Sequence, residues 1–185
     1  CTNLTSFALN CIGKHINDKT LTSVLGRKNV VFDFELISIH NTSVENLTKD
    51  HFGVQKFKYI YISDNSELSK IDPMAFIESF NLTVKLGINR CPRISLNNIM
   101  NLANNFLRLD TLDLSSNLFT EIPTRAFQPK NNSQLGTQLQ VILLDNNNIT
   151  SIGSFAFFNL TNLIFVKLFN LQVFVRRIMS STLNH

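Results

Sequence analysis

Apolar and polar positions along this chain repeat one spaced figure. From Leu109 it reads Leu109-x-x-Leu112-x-Leu114-x-x-Asn117-x-Phe119-x-x-Ile122, closing on Ala126-Phe127. From Leu139 it returns as Leu139-x-x-Ile142-x-Leu144-x-x-Asn147-x-Ile149-x-x-Ile152, then Ala156-Phe157 and Leu160. Looser copies fall into the same register. One runs Phe34, Ile37, Ile39, Thr42, Val44, Leu47 and Phe52; another runs Phe57, Ile60, Ile62, Asn65, then Leu68 and Ile71 with one extra residue, closing on Ala75-Phe76. A third is Val84, Leu86, Asn89, Cys91 and Ile94, with Asn81 where other copies begin on an apolar residue, and the last is Leu163, Val166, Leu168, Leu171 and Val173. Taking Ile39, Ile62, Leu86, Leu114, Leu144 and Leu168 as markers, the intervals are 23, 24, 28, 30 and 24 residues. A period of that kind marks an array of short stacked units.

The spacing has a physical reading. Apolar residues two apart share one face of an extended segment, so each copy predicts a short strand feeding a common core. The Asn three places on sits where the chain turns. Its amide can bond turn backbone that an open stack leaves unpaired, and Asn65, Asn89, Asn117 and Asn147 form that ladder, with Thr42 and Leu171 departing from it. Asn104 falls outside the register. The segment Gln128 to Gln138 lengthens one interval and is expected to loop out. The alternative, a sandwich of hairpins, does not produce a period near 24 with a fixed Asn.

The predicted class is therefore an α/β solenoid: a leucine-rich-repeat horseshoe with a curved parallel sheet on its concave face and short helical or irregular segments on its convex face. Residues 1–33 are expected to form an N-terminal cap, 34–173 an array of about six repeats, and 174–185 a C-terminal tail or truncated cap. In the cap, Phe7 to Cys11 reads as a strand and Leu21, Val24 and Leu25 as one helical face, with Cys1 and Cys11 closing a small disulfide loop.

Composition narrows the function classes. Among 185 residues 16% are charged and 44% hydrophobic, with 16 Phe, enough apolar material for a continuous core. The net charge of +4 comes from 17 basic against 13 acidic residues scattered along the chain, with no basic run longer than a pair such as Arg176-Arg177. That is a solvated surface and not a nucleic-acid footprint. The most apolar stretch, Leu163 to Val175, is interrupted by Lys167 and falls short of the ~20 residues of a membrane span. The absence of an initiator Met or apolar leader reads as a removed leader or a fragment. Sequons begin at Asn3, Asn41, Asn46, Asn81, Asn131, Asn148 and Asn159, which with the cysteine pair points to a secreted glycoprotein. Sugar is expected at Asn3, Asn41, Asn46, Asn131, Asn148 and Asn159, and least at Asn81, placed in an inward slot.

Catalytic signals are lacking. His15, His40, His51 and His185 show no metal-ligand spacing; His51 reads as a partly buried structural residue and His40 as a surface residue of the concave face. Gly153-Ser154 lacks the second glycine of a nucleophile elbow. Cys91 reads as an inert core filler. No enzyme and no cofactor is expected.

Two segments carry a resemblance. Leu9-Asn10-Cys11-Ile12-Gly13, and Ser63-Asp64-Asn65 through Ile71-Asp72-Pro73-x-Ala75-Phe76, together with the Asn-and-Phe register, resemble extracellular leucine-rich-repeat proteins, and among them secreted arthropod proteins similar to the non-catalytic subunit of Oplophorus-luciferin monooxygenase. The resemblance implies a secreted accessory or binding protein and carries no light-producing chemistry to any residue. On the repeat register the concave face presents Leu36, Ser38 and His40; Tyr59, Tyr61 and Ser63; Thr83, Lys85 and Gly87; Thr111, Asp113 and Ser115; Val141, Leu143 and Asp145; Phe165, Lys167 and Phe169. A protein partner is expected to contact Tyr59, Tyr61, Lys85, Asp113, Leu143, Phe165 and Lys167. Recognition of a microbial glycan or lipid, and a matrix-forming structural role, are the alternatives.

Overall fold

Extended segments whose alternate residues are apolar bury one face only when they lie side by side, and the computed structural model of the chain arranges them so. It describes residues 1–5, 8–26, 31–130, 133–168 and 171–174. In chain order the elements are β1 (Thr2–Thr5), β2 (Ala8–Ile12), α1 (Asp18–Leu25), β3 (Asp33–His40), β4 (Asn46–Leu47), α2 (Lys49–Phe52), β5 (Lys56–Ser63) and β6 (Lys70–Ile71). After a 3-10 turn at Ile77–Ser79 come β7 (Lys85–Asn89), α3 (Leu96–Ala103), β8 (Thr111–Asp113), β9 (Glu121–Ile122), α4 (Leu135–Gln138), β10 (Val141–Leu143), β11 (Ser151–Ile152), β12 (Phe165–Leu168) and β13 (Leu171–Phe174).

Nine of the strands form one sheet in the order β1-β2-β3-β5-β7-β8-β10-β12-β13. From β2 to β12 every pairing is parallel, while β1 and β13 close the ends antiparallel. The architecture is α/β with a seven-stranded parallel sheet, each strand beside its predecessor in the chain. Two smaller parallel ladders, β4 with β6 and β9 with β11, tie the connections to one another.

The register lines up Leu9, Ile37, Ile60, Leu86, Leu112, Ile142 and Val166 on the inner face, all buried. A second buried line holds Cys11, Ile39, Ile62, Ile88, Leu114, Leu144 and Leu168. Against them pack rings from the connections, Phe52 on Phe76 at 4.2 Å and Phe127 on Phe157 at 5.2 Å, both stacked. A single core cluster joins the whole.

This register corrects the third copy. Leu86 and Ile88, not Val84 and Leu86, are its inward pair, and Thr83 takes the first slot, its buried hydroxyl donating to Phe57 O at 2.8 Å and Ser79 O at 3.1 Å. Asn81 is consequently an exposed turn residue and not an inward one. Asn89 ends the strand on the outer face, and the ladder slot belongs to Cys91.

The true ladder members behave alike. Asn65 Nδ2 donates to Ile39 O and Ser63 O while its Oδ1 accepts from the Thr42 amide and hydroxyl. Asn117 bonds Ile88 O and Leu114 O and accepts from the Cys91 amide; Asn147 bonds Leu114 O and Leu144 O and accepts from the Phe119 amide. Each side chain thus bridges its own turn to the preceding one. The residue before each slot, Asn41, Asp64, Arg90, Ser116 or Asn146, has φ between 50° and 58°, a left-handed turn that short polar residues tolerate best. Thr42 holds the first slot as a donor to Asn65. In the last copy β13 pairs antiparallel with β12, Leu171 opposite Leu168, so Leu171 is no ladder position.

Three further features differ from expectation. The third connection is helical: α3 starts on Ser95, whose side chain accepts from Asn98 N. It interrupts the small ladder between β6 and β9, and Asn98 replaces the missing strand by bonding both peptide groups of Ile71, at 2.8 and 2.9 Å. The insertion does not simply loop out. Leu135 is fully buried, and Asn104, itself buried, accepts from the Lys130 amide while its carbonyl accepts from Ser133 Oγ. In the opening segment β2 is already a member of the parallel sheet, and in α1, capped by Asn17, Leu21 and Leu25 are buried but Val24 is exposed. Phe7, Phe169 and the tail beyond Phe174 lie outside the described residues.

His51 is buried, as expected, in the seam between α1 and α2. Its Nδ1 accepts from Thr48 N at 2.8 Å and its Nε2 lies 3.7 Å from Asp18 Oδ1. Burial lowers the imidazole's pKa below its ordinary value, against the opposing pull of Asp18 and Asp50.

Two outcomes follow. Asn117→Ala strands carbonyls and an amide between copies and should cost on the order of 1–3 kcal/mol per unpaired group, and Asn104→Ala should also destabilise. Asn97→Ala, on the exposed side of α3, should stay within about 0.5 kcal/mol in denaturant titration; equal losses at 97 and 117 would refute the ladder's role. A lowered His51 pKa means that the unfolded chain takes up the proton first. Its contribution is full above about pH 6.5 and is lost as pH falls below that. His51→Gln should therefore flatten the fall in melting temperature between about pH 7 and pH 5.

Candidate binding face

Opposite the core, the sheet turns three lines of side chains outward, and the pairing fixes their order. The first line is Leu36, Tyr59, Lys85, Thr111, Val141 and Phe165; the second is Ser38, Tyr61, Gly87, Asp113, Leu143 and Lys167. The third contains His40, Ser63 and Asn89. All seven residues expected to contact a partner therefore share this face and are half-buried. Lys85 stands beside Tyr59 and Thr111, however, and not in the central line with Tyr61, Asp113 and Leu143. Thr83, expected here, points inward instead. Phe169 is outside the described residues.

Tyr61 has a made seat. Gly87 is its strand neighbour, and a Cβ there would stand 2.8 Å from Tyr61 Cδ1, so the ring lies over the glycine and a side chain at 87 would push it aside. Lys85 Nζ sits 5.4 Å from the ring centroid, and Lys58 Nζ 4.9 Å from that of Tyr59. Both tyrosines are thus held under ammonium groups. Farther along, Asp113 Oδ1 accepts from Asn89 Nδ2, Ser115 N and Ser115 Oγ. Lys167 Nζ reaches Asp145 Oδ2 at 3.2 Å. One half of the face is aromatic and cationic; the other carries hydrogen-bonded carboxylates. Reading the third copy two residues out of register hid Asn89 from this face, and the hydrogen bond to Asp113 is what reveals it.

At the turn edge Ser63, His40 and Asp64 meet, the composition of a nucleophile relay. The geometry is not one. Ser63 Oγ and Asp64 Oδ2 approach the same nitrogen, His40 Nδ1, at 3.0 and 3.1 Å, whereas a relay needs the hydroxyl and carboxylate on opposite nitrogens. Asp64 is also held by both Arg90 Nε and Nη2, and that guanidinium keeps its carboxyl below the usual carboxylate range. The adjoining groove of about 540 Å³ includes Lys14, which already donates to Thr42 O and Ser66 Oγ. Its cations serve the fold. Among the described residues no group of three or more His, Cys, Asp or Glu is placed to hold a metal ion, and no helix is long and apolar enough to cross a membrane.

Cys1 and Cys11 are bonded, and Cys91 is a buried free thiol. Cys91 Sγ faces Asn89 O and Ile62 O, the carbonyl positions that Asn bonds in neighbouring copies, and burial pushes the thiol up to about 11. Asn41, Asn46, Asn81, Asn148 and Asn159 are all exposed. Asn3 lies in β1, and Asn131 falls outside the described residues. Neither a family model nor a curated protein sequence matches the chain.

A thiolate, not a thiol, reacts with disulfide reagents. Native protein should therefore show no reactive cysteine near neutral pH, and one on denaturation without reductant. Rapid native labelling, or three thiols after unfolding, would contradict the pairing and the burial.

Proposed function

We propose that the chain is a leucine-rich-repeat solenoid, curved into a horseshoe, that works as a secreted protein-binding module through the concave face of its parallel sheet. The observation that carries this reading is Tyr61 seated on Gly87 beneath Lys85, with Asp113 and Leu143 next in the same line. Aromatic side chains on a stiff sheet provide contact area at small entropic cost and are typical interface anchors. The repeating turn geometry, the bonded pair Cys1–Cys11 and the exposed sequons support the extracellular repeat reading. A non-catalytic accessory subunit is a specific form of the same function. Seven strands about 4.8 Å apart span roughly 29 Å, a patch smaller than the ~800 Å² per partner of a standard interface. Neighbouring turns must therefore add contacts.

The chain contains no Trp and only two Tyr, so its tyrosine emission reports on this face alone. Co-purification from the source tissue should identify a protein partner, whose binding changes that emission. Tyr61→Ala and Leu143→Ala should each weaken binding by about 1–4 kcal/mol with little change in melting temperature. Lys85→Ala should act mainly on association rate and its salt dependence. Substitutions at Lys130 and Gln134 should leave affinity unchanged. Loss of binding in the insertion variants but not in the Tyr61 and Leu143 variants would move the site to the insertion. Retention of a glycan or lipid in place of a protein would replace the proposed partner class.

A further inference from the structure

On the connection that follows β11, two aromatic rings stand in solvent. Phe155 and Phe158 are each 41% exposed and meet edge to face at 5.8 Å. The Arg125 guanidinium lies 5.9 Å from both ring centroids. Phe155 holds this position in a left-handed conformation, φ 57°, which a bulky residue adopts only where the surrounding chain imposes it. Asn159 follows at once, exposed, with φ 61°, and begins the sequon Asn159-Leu160-Thr161. Phe158 N bonds Phe155 O, which closes a tight turn that carries both rings. Asn159 is the last residue of that turn and the next in the chain after Phe158, so a sugar on it starts beside the ring pair.

We infer that Asn159 carries an N-linked glycan whose first N-acetylglucosamine lies over the Phe155–Phe158 pair, so that the sugar is the covering of this aromatic patch. The inference rests on the proposed passage through the secretory pathway. In the transfer, Asn159 Nδ2 forms a bond to C1 of the sugar, the C1–oxygen bond to a lipid diphosphate breaks, and the amide proton leaves with the diphosphate. The folded chain explains the timing. Thr161 N and Oγ1 both donate to Gly136 O, which locks the sequon, so transfer occurs on the nascent chain. Once folded, the axial C–H groups of the pyranose meet the aromatic faces and remove apolar area from water. Asn41, Asn46 and Asn148 are exposed too, but among the described residues Phe155 and Phe158 are the one ring pair with both members exposed.

The test is the full chain secreted from eukaryotic cells behind an appended leader, with glycopeptide mapping and melting curves. Asn159 should be occupied. Trimming every glycan to its first sugar should leave the melting temperature unchanged, whereas Asn159→Gln should lower it by about 2–4 °C, the shift expected of a modest contact in a chain of this size. In the Phe155→Ala/Phe158→Ala background, Asn159→Gln should have a clearly smaller effect, only what Gln costs at a left-handed φ. An unoccupied Asn159 beside occupied Asn41, Asn46 and Asn148, or an equal Asn159→Gln effect in both backgrounds, overturns the inference. Self-association of the glycosylated chain that vanishes with the two Phe→Ala changes would assign the patch to a second copy and also overturn it. Separately, protein from its natural source that is bare at every sequon would defeat the secretory reading while leaving the recombinant result at Asn159 intact.

Discussion

Everything in this molecule depends on satisfying the backbone at one recurrent left-handed turn. Parallel strands laid in chain order force the chain to leave the sheet at the same edge in every copy, and each departure exposes peptide groups that no strand can pair. The buried amides of Asn65, Asn117 and Asn147 answer with the same set of bonds, two carbonyls and an amide each, across two copies. Because each side chain spans a pair of copies, local turn chemistry becomes the register of the sheet. The core lines, the stacked phenylalanines and the outward face all inherit that register.

Where the bridging side chain changes, the structure compensates nearby. Cys91 offers its slot only a weak donor, and in the same copy α3 removes the small strand between β6 and β9. Asn98 then bonds both peptide groups of Ile71, and the hydroxyls of Ser79 and Thr83 engage the amide and carbonyl of Phe57. An unpaired buried peptide group costs more than one hydrogen bond gains, so a departure from the repeat survives only with such substitutes. They lie in the third copy and its immediate neighbours.

The same substitutions decide how much was legible in the sequence. The two copies from Leu109 and Leu139 announce strand, slot and back wall without ambiguity, since every inward position is apolar and every slot is Asn. In the third copy the first inward residue is Thr83 and the slot is Cys91, so two marks are missing. Val84 and Leu86 then mimic the inward pair and Asn89 mimics the slot, two residues early. A buried polar residue whose partners are remote in sequence, like Thr83 or Asn104, reads as a surface residue because its bonds are invisible until the chain is folded. The outward lines suffered accordingly: Tyr59, Tyr61, Asp113 and Leu143 were legible, while the neighbourhood of Lys85, the seat at Gly87 and the place of Asn89 were not.

The seat of Tyr61 has a thermodynamic meaning. A ring packed over a glycine and under an ammonium group has fewer orientations open to it than one standing free. Immobilising a flexible side chain on association usually takes about 0.5–1.5 kcal/mol, and such a penalty at Tyr61 would be smaller. If the proposed partner meets this ring, more of the contact would pass into affinity than on a freely rotating side chain.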